Sequence, residues 1–202
     1  MYSVKFNFNK LDVPKLPKPV TQYYSTVLLL HNYVYAKSRF FLLLVVLLVG
    51  TSSYSQYLQV PENIQAALIP KVLKYNPKLS NLDKLKMLVV YDNNSAKSKN
   101  EFLRNSSREL DIKAVYYTDL EPYISNYNLV YFMPGTKPQY NLCRQYKVLS
   151  VTGTSDFVEN GQVSIGFGLK NNKPIIFVNL SSLEKEGQSL STDILRIAKI
   201  YK

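Results

Sequence analysis

Four acidic side chains stand beside turn-forming residues: Asp92, Asp119, Asp156 and Glu159. Two carboxylates flanking a sugar ring are enough for glycoside hydrolysis, one as acid and the other as base or nucleophile. Acids in turns more commonly cap helices and close Asx turns, so a carboxylate hydrolase ranks third among the readings of this chain. Cys143 is the only cysteine and His31 the only histidine. A cysteine nucleophile needs a base beside it. With no histidine beyond position 31, Ser–His and Cys–His schemes and His-rich zinc sites are excluded downstream. Cys143 therefore reads as a buried, inert thiol, and a lone cysteine cannot form an intrachain disulfide. Gly166-Phe-Gly168 matches half of a dinucleotide fingerprint, but Asn171 stands where its third glycine belongs and the segment leads into a strand. No phosphate-binding loop is present. The residues predict no cofactor, no metal and no enzyme.

The elements that would position any site follow from patterning. Val60-Pro-Glu-Asn opens a helix whose stripe is Ile64, Leu68, Val72 and Tyr75, with a kink or break expected at Pro70. Lys86–Tyr91 is a continuous apolar run, as in a strand buried on both faces. Further strands are predicted at Ile112–Tyr117, Asn128–Met133 and Lys147–Thr152, separated by short helices near 95–105, 119–126 and 140–146. Val163–Leu169 and Pro174–Asn179 form a hairpin around Lys170-Asn-Asn-Lys173. A helix over Thr192–Tyr201, with Ser189 or Ser191 as its cap, closes the chain, and Ile194, Leu195, Ile197 and Ala198 should face the sheet. The sum is a compact single α/β domain: a mostly parallel sheet flanked by helices, with a C-terminal β-hairpin and a final helix. Open parallel sheets bind ligands at the carboxyl ends of their strands. That rule nominates Asp92 and Asn93, Gly135, Thr152 and Gly153, and Asp156 as the ligand or partner surface.

Upstream of this domain the pattern is an export signal. Lys37 and Arg39 precede ten apolar residues, Phe40–Val49, and Ser53 and Ser55 occupy the −3 and −1 positions before Gln56. A membrane-spanning helix needs roughly 20 apolar residues, so residues 40–49 predict a cleaved signal and no stable anchor. The division is 1–55 for leader and signal and 56–202 for the domain. Residues 1–36 are assigned no structure; they fit either an over-extended start or an unusual basic leader. The whole chain carries 25 basic and 14 acidic side chains, net +11. Residues 1–55 hold six of the basic and one of the acidic ones, leaving 19 and 13, or +6, for the domain. These charges are scattered rather than gathered in a stripe, which argues against nucleic acid as a partner.

The order of motifs from Leu149 onward resembles the YfiR-like family of exported bacterial proteins. It runs Leu149-Ser-Val-Thr, a turn with Phe157 and Gly161, Ile165-Gly-Phe-Gly, Phe177-Val-Asn-Leu180, Gly187, and Leu190-Ser-Thr-Asp-Ile-Leu-Arg-Ile-Ala198. Val60-Pro-Glu, Gln65-Ala-Ala-Leu68 and Lys74-Tyr75 are similar to the family's opening helix. The resemblance implies a compact α/β domain in the periplasm. It also implies a regulatory role: binding the periplasmic part of a membrane sensor or diguanylate cyclase and holding it inactive. The family's best-known member uses paired cysteines, which this chain lacks, so redox sensing does not carry over. The alternative is a soluble periplasmic receptor for a small ligand or glycan. A homodimer is compatible with either.

Overall fold

A computed structural model describes residues 57–202. The expected signal segment, its flanking Lys37 and Arg39, the Ser55–Gln56 cleavage point and His31 all lie outside the described residues.

The run Leu85–Tyr91 forms β1, and its side chains alternate between two cores: Met87 and Val89 enter one, Leu88 and Val90 the other. β3 (Leu129–Phe132) repeats this, with Leu129 and Tyr131 on the first face and Val130 and Phe132 on the second. Burial on both sides is what makes these strands read as unbroken apolar runs. β2 (Leu110–Tyr116), β4 (Leu149–Thr152), β5 (Ile165–Lys170), β6 (Lys173–Asn179) and β7 (Lys199–Tyr201) complete a seven-stranded sheet in the order β2-β1-β3-β4-β5-β6-β7. All adjacent pairs are parallel except β5–β6.

Helices cover both faces. On the first lie α1 (Glu62–Leu73), α2 (Ala96–Asn105), α6 (Leu180–Lys185) and α7 (Thr192–Ile197). On the second lie α3 (Glu121–Ile124), α4 (Tyr140–Tyr146) and α5 (Ser155–Glu159). The β1–α2–β2 crossover runs one way from β1, and the α3, α4 and α5 crossovers run the other way on the opposite face. This reversal puts a topological switch point at the carboxyl ends of β1 and β3. Phe102 of α2 stacks on Tyr131 of β3, with ring centroids 4.4 Å apart and 8° between planes, clamping helix to sheet at its centre. Leu58 bridges to Leu169 and ties residues 57–59 to β5.

Several expectations are corrected. α1 is helical through Pro70 without a break. It buries Gln65, Ala66, Ile69, Val72 and Leu73, a stripe rotated by one position from the expected one, and Tyr75 is exposed. The closing helix is shorter than expected: α7 stops at Ile197, and Ala198 is extended (ψ 152). Lys199–Tyr201 then pairs with Phe177–Asn179 as β7, because the open edge of β6 offers backbone partners that outweigh the helical pattern. Of the four side chains expected against the sheet, Ile194 is buried, Leu195 and Ala198 are half-buried, and Ile197 is 70% exposed. Ser191 occupies the N-cap position, but its hydroxyl makes no capping bond. α5 and α6 were not anticipated; at five and six residues they are too short to show a period. The hairpin is as expected: Asn171 and Asn172 both adopt positive φ (50° and 60°), the I′ geometry that asparagine tolerates.

Candidate functional site

The carboxyl-end residues are brought to one end of the sheet, but their side chains are engaged in holding turns. Asp92 Oδ1 accepts from the Asn94 and Ser95 backbone N–H groups, both at 3.0 Å, and from Ser95 Oγ at 2.9 Å. Ser95 Oγ also meets Thr136 Oγ1 at 2.9 Å. This bond ties the loop after β1 to the loop after β3, across the switch point. Asn93 and Gly135 are exposed there, and Gly135 takes the positive φ (86°) of a turn. Thr152 is buried; its hydroxyl donates to the Phe132 carbonyl and accepts from the Thr154 N–H. At Gly153 the close approach comes from within the protein. A Cβ there would collide with the side-chain amide of Gln65. Gln65 itself is buried, accepts from the Tyr131 hydroxyl and donates to the Val60 carbonyl. Asp156 is exposed and lines a cavity of about 190 Å³ with Tyr57, Gln59 and Gly153. The acids do not assemble as a pair. Asp119 accepts from its neighbour Thr118, Asp156 from its neighbour Ser155, and Glu159 lies toward the opposite end of the sheet. No cluster of three or more His, Cys, Asp or Glu side chains fit to hold a metal occurs among the described residues.

A second constellation, not anticipated from sequence, lies at the other end of the sheet. β6 runs antiparallel to β5, so its carboxyl end adjoins the start of β5. Here α4, the turn after α5, the start of α6 and the chain end at Lys202 enclose a cavity of about 430 Å³. Its charged lining is Arg144, Lys185, Lys202 and Glu159, with Tyr140 and the polar Asn160, Gln162, Asn179 and Ser181. Gly161 shapes the wall. Its positive φ (67°) turns its carbonyl to accept from Arg144 Nη2 at 2.6 Å and Ser182 Oγ at 2.7 Å. Arg144 packs over the Tyr140 ring, 4.6 Å from its centroid. Arg144 Nε is buried and has no acceptor among the described residues. An unsatisfied buried donor costs about 1–3 kcal/mol, more when charged.

Behind this cavity Glu186 is fully buried. Its carboxyl accepts from the Ser150 N–H at 2.9 Å, Ser150 Oγ at 2.5 Å and Ser164 Oγ at 2.5 Å. Burial pushes its pKa up from 4.5 to about 7, against the opposing pull of these hydrogen bonds and of the Arg144 charge. Cys143 is buried, and desolvation, followed by the Glu186 charge, raises its thiol well above the ordinary range, which suppresses the thiolate. Burial likewise raises the Tyr131 hydroxyl. Sequence patterning carries no signal for Glu186, which stands at the C-cap just past the short α6.

Comparison with known proteins matches this geometry at the level of fold. A solved conserved domain protein from Vibrio cholerae superposes with a TM-score of 0.53 at 12% identity, covering 70% of this chain and 60% of that one. The ABC domain of Streptococcus pneumoniae, solved in complex with L-Trp, gives 0.52 at 10% identity, covering 70% and 62%. The chain thus spans about three fifths of the length of these structures, and at such identities the likeness concerns the fold alone. No curated protein matches the chain. A family model described as YfiR/HmsC-like matches residues 62–199, from the start of α1 to the start of β7. The chain therefore belongs to the YfiR/HmsC-like family.

Proposed function

We propose that this protein is an exported periplasmic regulator that binds the periplasmic part of a membrane signalling protein, and that the partner is a diguanylate cyclase held inactive by it. The family match over residues 62–199 carries this reading, since the YfiR/HmsC-like family is regulatory and periplasmic. No helix among the described residues is long and apolar enough to cross a membrane. The acidic residues with catalytic potential are placed apart: Asp92 closes the turn after β1, and Asp119 and Asp156 accept from the adjacent hydroxyls of Thr118 and Ser155. The carboxyl-end surface around Asn93, Gly135 and Asp156, exposed at all three positions, is the proposed contact for the partner. The test is the cellular level of cyclic diguanylate in its own host, with the gene deleted and with it restored. A repressor predicts a rise on deletion and a return on complementation. An unchanged level would exclude the cyclase as target.

A second reading, a soluble receptor for a small ligand, is favoured by the cavity around Arg144.

A further inference from the structure

We propose that the cavity bounded by Arg144, Lys185 and Lys202 binds the oxyanion group, phosphate or carboxylate, of a small polar molecule. Three cationic side chains, Arg144, Lys185 and Lys202, line it, with Glu159 as the one acidic side chain. Glu159 accepts a long hydrogen bond from the Tyr201 hydroxyl at 3.4 Å. The Arg144 guanidinium is fixed by the Gly161 carbonyl on one nitrogen and by the Tyr140 face, while its buried Nε–H lacks an acceptor among the described residues. The half-buried Arg144 lines the cavity as a cation of fixed orientation, and an oxyanion is the partner its remaining N–H groups can take. Lys185 and Lys202 are exposed at the cavity mouth and supply mobile charge that can close on a bound anion. The lining is otherwise amide, hydroxyl and backbone, and a volume of about 430 Å³ holds a small metabolite rather than a bare ion. Asn179 and Ser182 are committed to each other and to the wall, through Asn179 Oδ1 to the Ser182 N–H at 2.9 Å and Asn179 Nδ2 to the Val158 carbonyl at 3.0 Å. They keep the cavity open and leave the cations to make the contact. The site forms within one chain and needs no membrane partner.

The experiment titrates the protein purified from its own cells with inorganic phosphate and, separately, with citrate, at ionic strength held constant with chloride. Binding is read by calorimetry and by the melting midpoint. Saturable binding by phosphate alone assigns a phosphate ligand, by citrate alone a carboxylate, and by both a general oxyanion site. In the Lys185→Gln/Lys202→Gln variant the dissociation constant should weaken by about tenfold or more, the scale of one charge-assisted contact, with the anion-free melting midpoint unchanged. Should that variant melt early, Lys202→Gln alone, at the chain end, replaces it. Absence of saturable binding by either anion, or equal binding by wild type and the folded variant, would overturn the site.

Discussion

Glu186 is a carboxyl group enclosed by Ser150 of β4 and Ser164 just before β5, and its chemistry makes the fold sensitive to pH. Its folded pKa of about 7 lies above the ordinary 4.5. A raised carboxyl pKa means that the folded state holds the proton more tightly than the unfolded one. The resulting stabilisation is complete below pH 4.5 and is lost as pH rises through about 7. The gap corresponds to about 3 kcal/mol for this buried group. The melting midpoint should therefore fall between pH 5 and pH 8.5, and Glu186→Gln, which stays neutral throughout, should flatten that dependence. Parallel pH profiles for wild type and variant would show that Glu186 does not control it. In the sequence this residue sits in Leu183-Glu-Lys-Glu-Gly187 and looks like a solvated helix end. Only tertiary packing of α6 against β4 and the segment before β5 encloses it. Gln65 was hidden in the same way, since polar residues on a helical stripe are ordinarily assigned to solvent. Cys143 was legible, because a lone cysteine without a histidine has few uses beyond packing.

The short elements near the C-terminus show where periodicity succeeds and where it stops. A helical run over 192–201 was a fair reading of Ile194, Leu195, Ile197 and Ala198, yet the sheet takes the last three residues as β7. The consequence is a contrast within one helix. Ile194 is 2% exposed and packs in the first core, so Ile194→Ala should cost roughly 2–5 kcal/mol through lost transfer energy and the cavity left behind. Ile197 is 70% exposed, and Ile197→Ala should stay within about 0.5 kcal/mol. Denaturant unfolding of the two variants measures both, and equal losses would mean that α7 is seated differently. The strands of the parallel part were legible because burial on both faces leaves continuous apolar runs. The I′ hairpin was legible because two consecutive asparagines are among the few pairs that accept positive φ. α5 and α6 escaped because one and a half turns carry too few positions to reveal a stripe.

At the scale of the molecule, the order β2-β1-β3-β4-β5 gives the carboxyl ends of β1 and β3 the location that open α/β sheets use for recognition. The nominated residues do gather there, but Asp92, Thr152 and Gly153 are held by internal contacts, which leaves Asn93, Gly135 and Asp156 to face outward. The basic cavity lies at the opposite end, built by the antiparallel β6 and the strand β7. The general rule for parallel sheets says nothing about that end, so only the folded arrangement reveals it. Two separate surfaces suit a regulator that meets a partner with one and a small anion with the other. The central claim is that the partner is a membrane signalling protein, and one measurement addresses it directly: in-cell photo-crosslinking of the full chain from a probe placed at Asn93 or Asp156, with identification of the adduct in the host's own envelope. The account predicts a single dominant adduct, a membrane protein with a periplasmic part and a cytoplasmic signalling domain, lost when the probe is moved to Lys170 in the hairpin turn. Adducts confined to soluble periplasmic proteins, or the same membrane protein captured equally from Lys170, would contradict it.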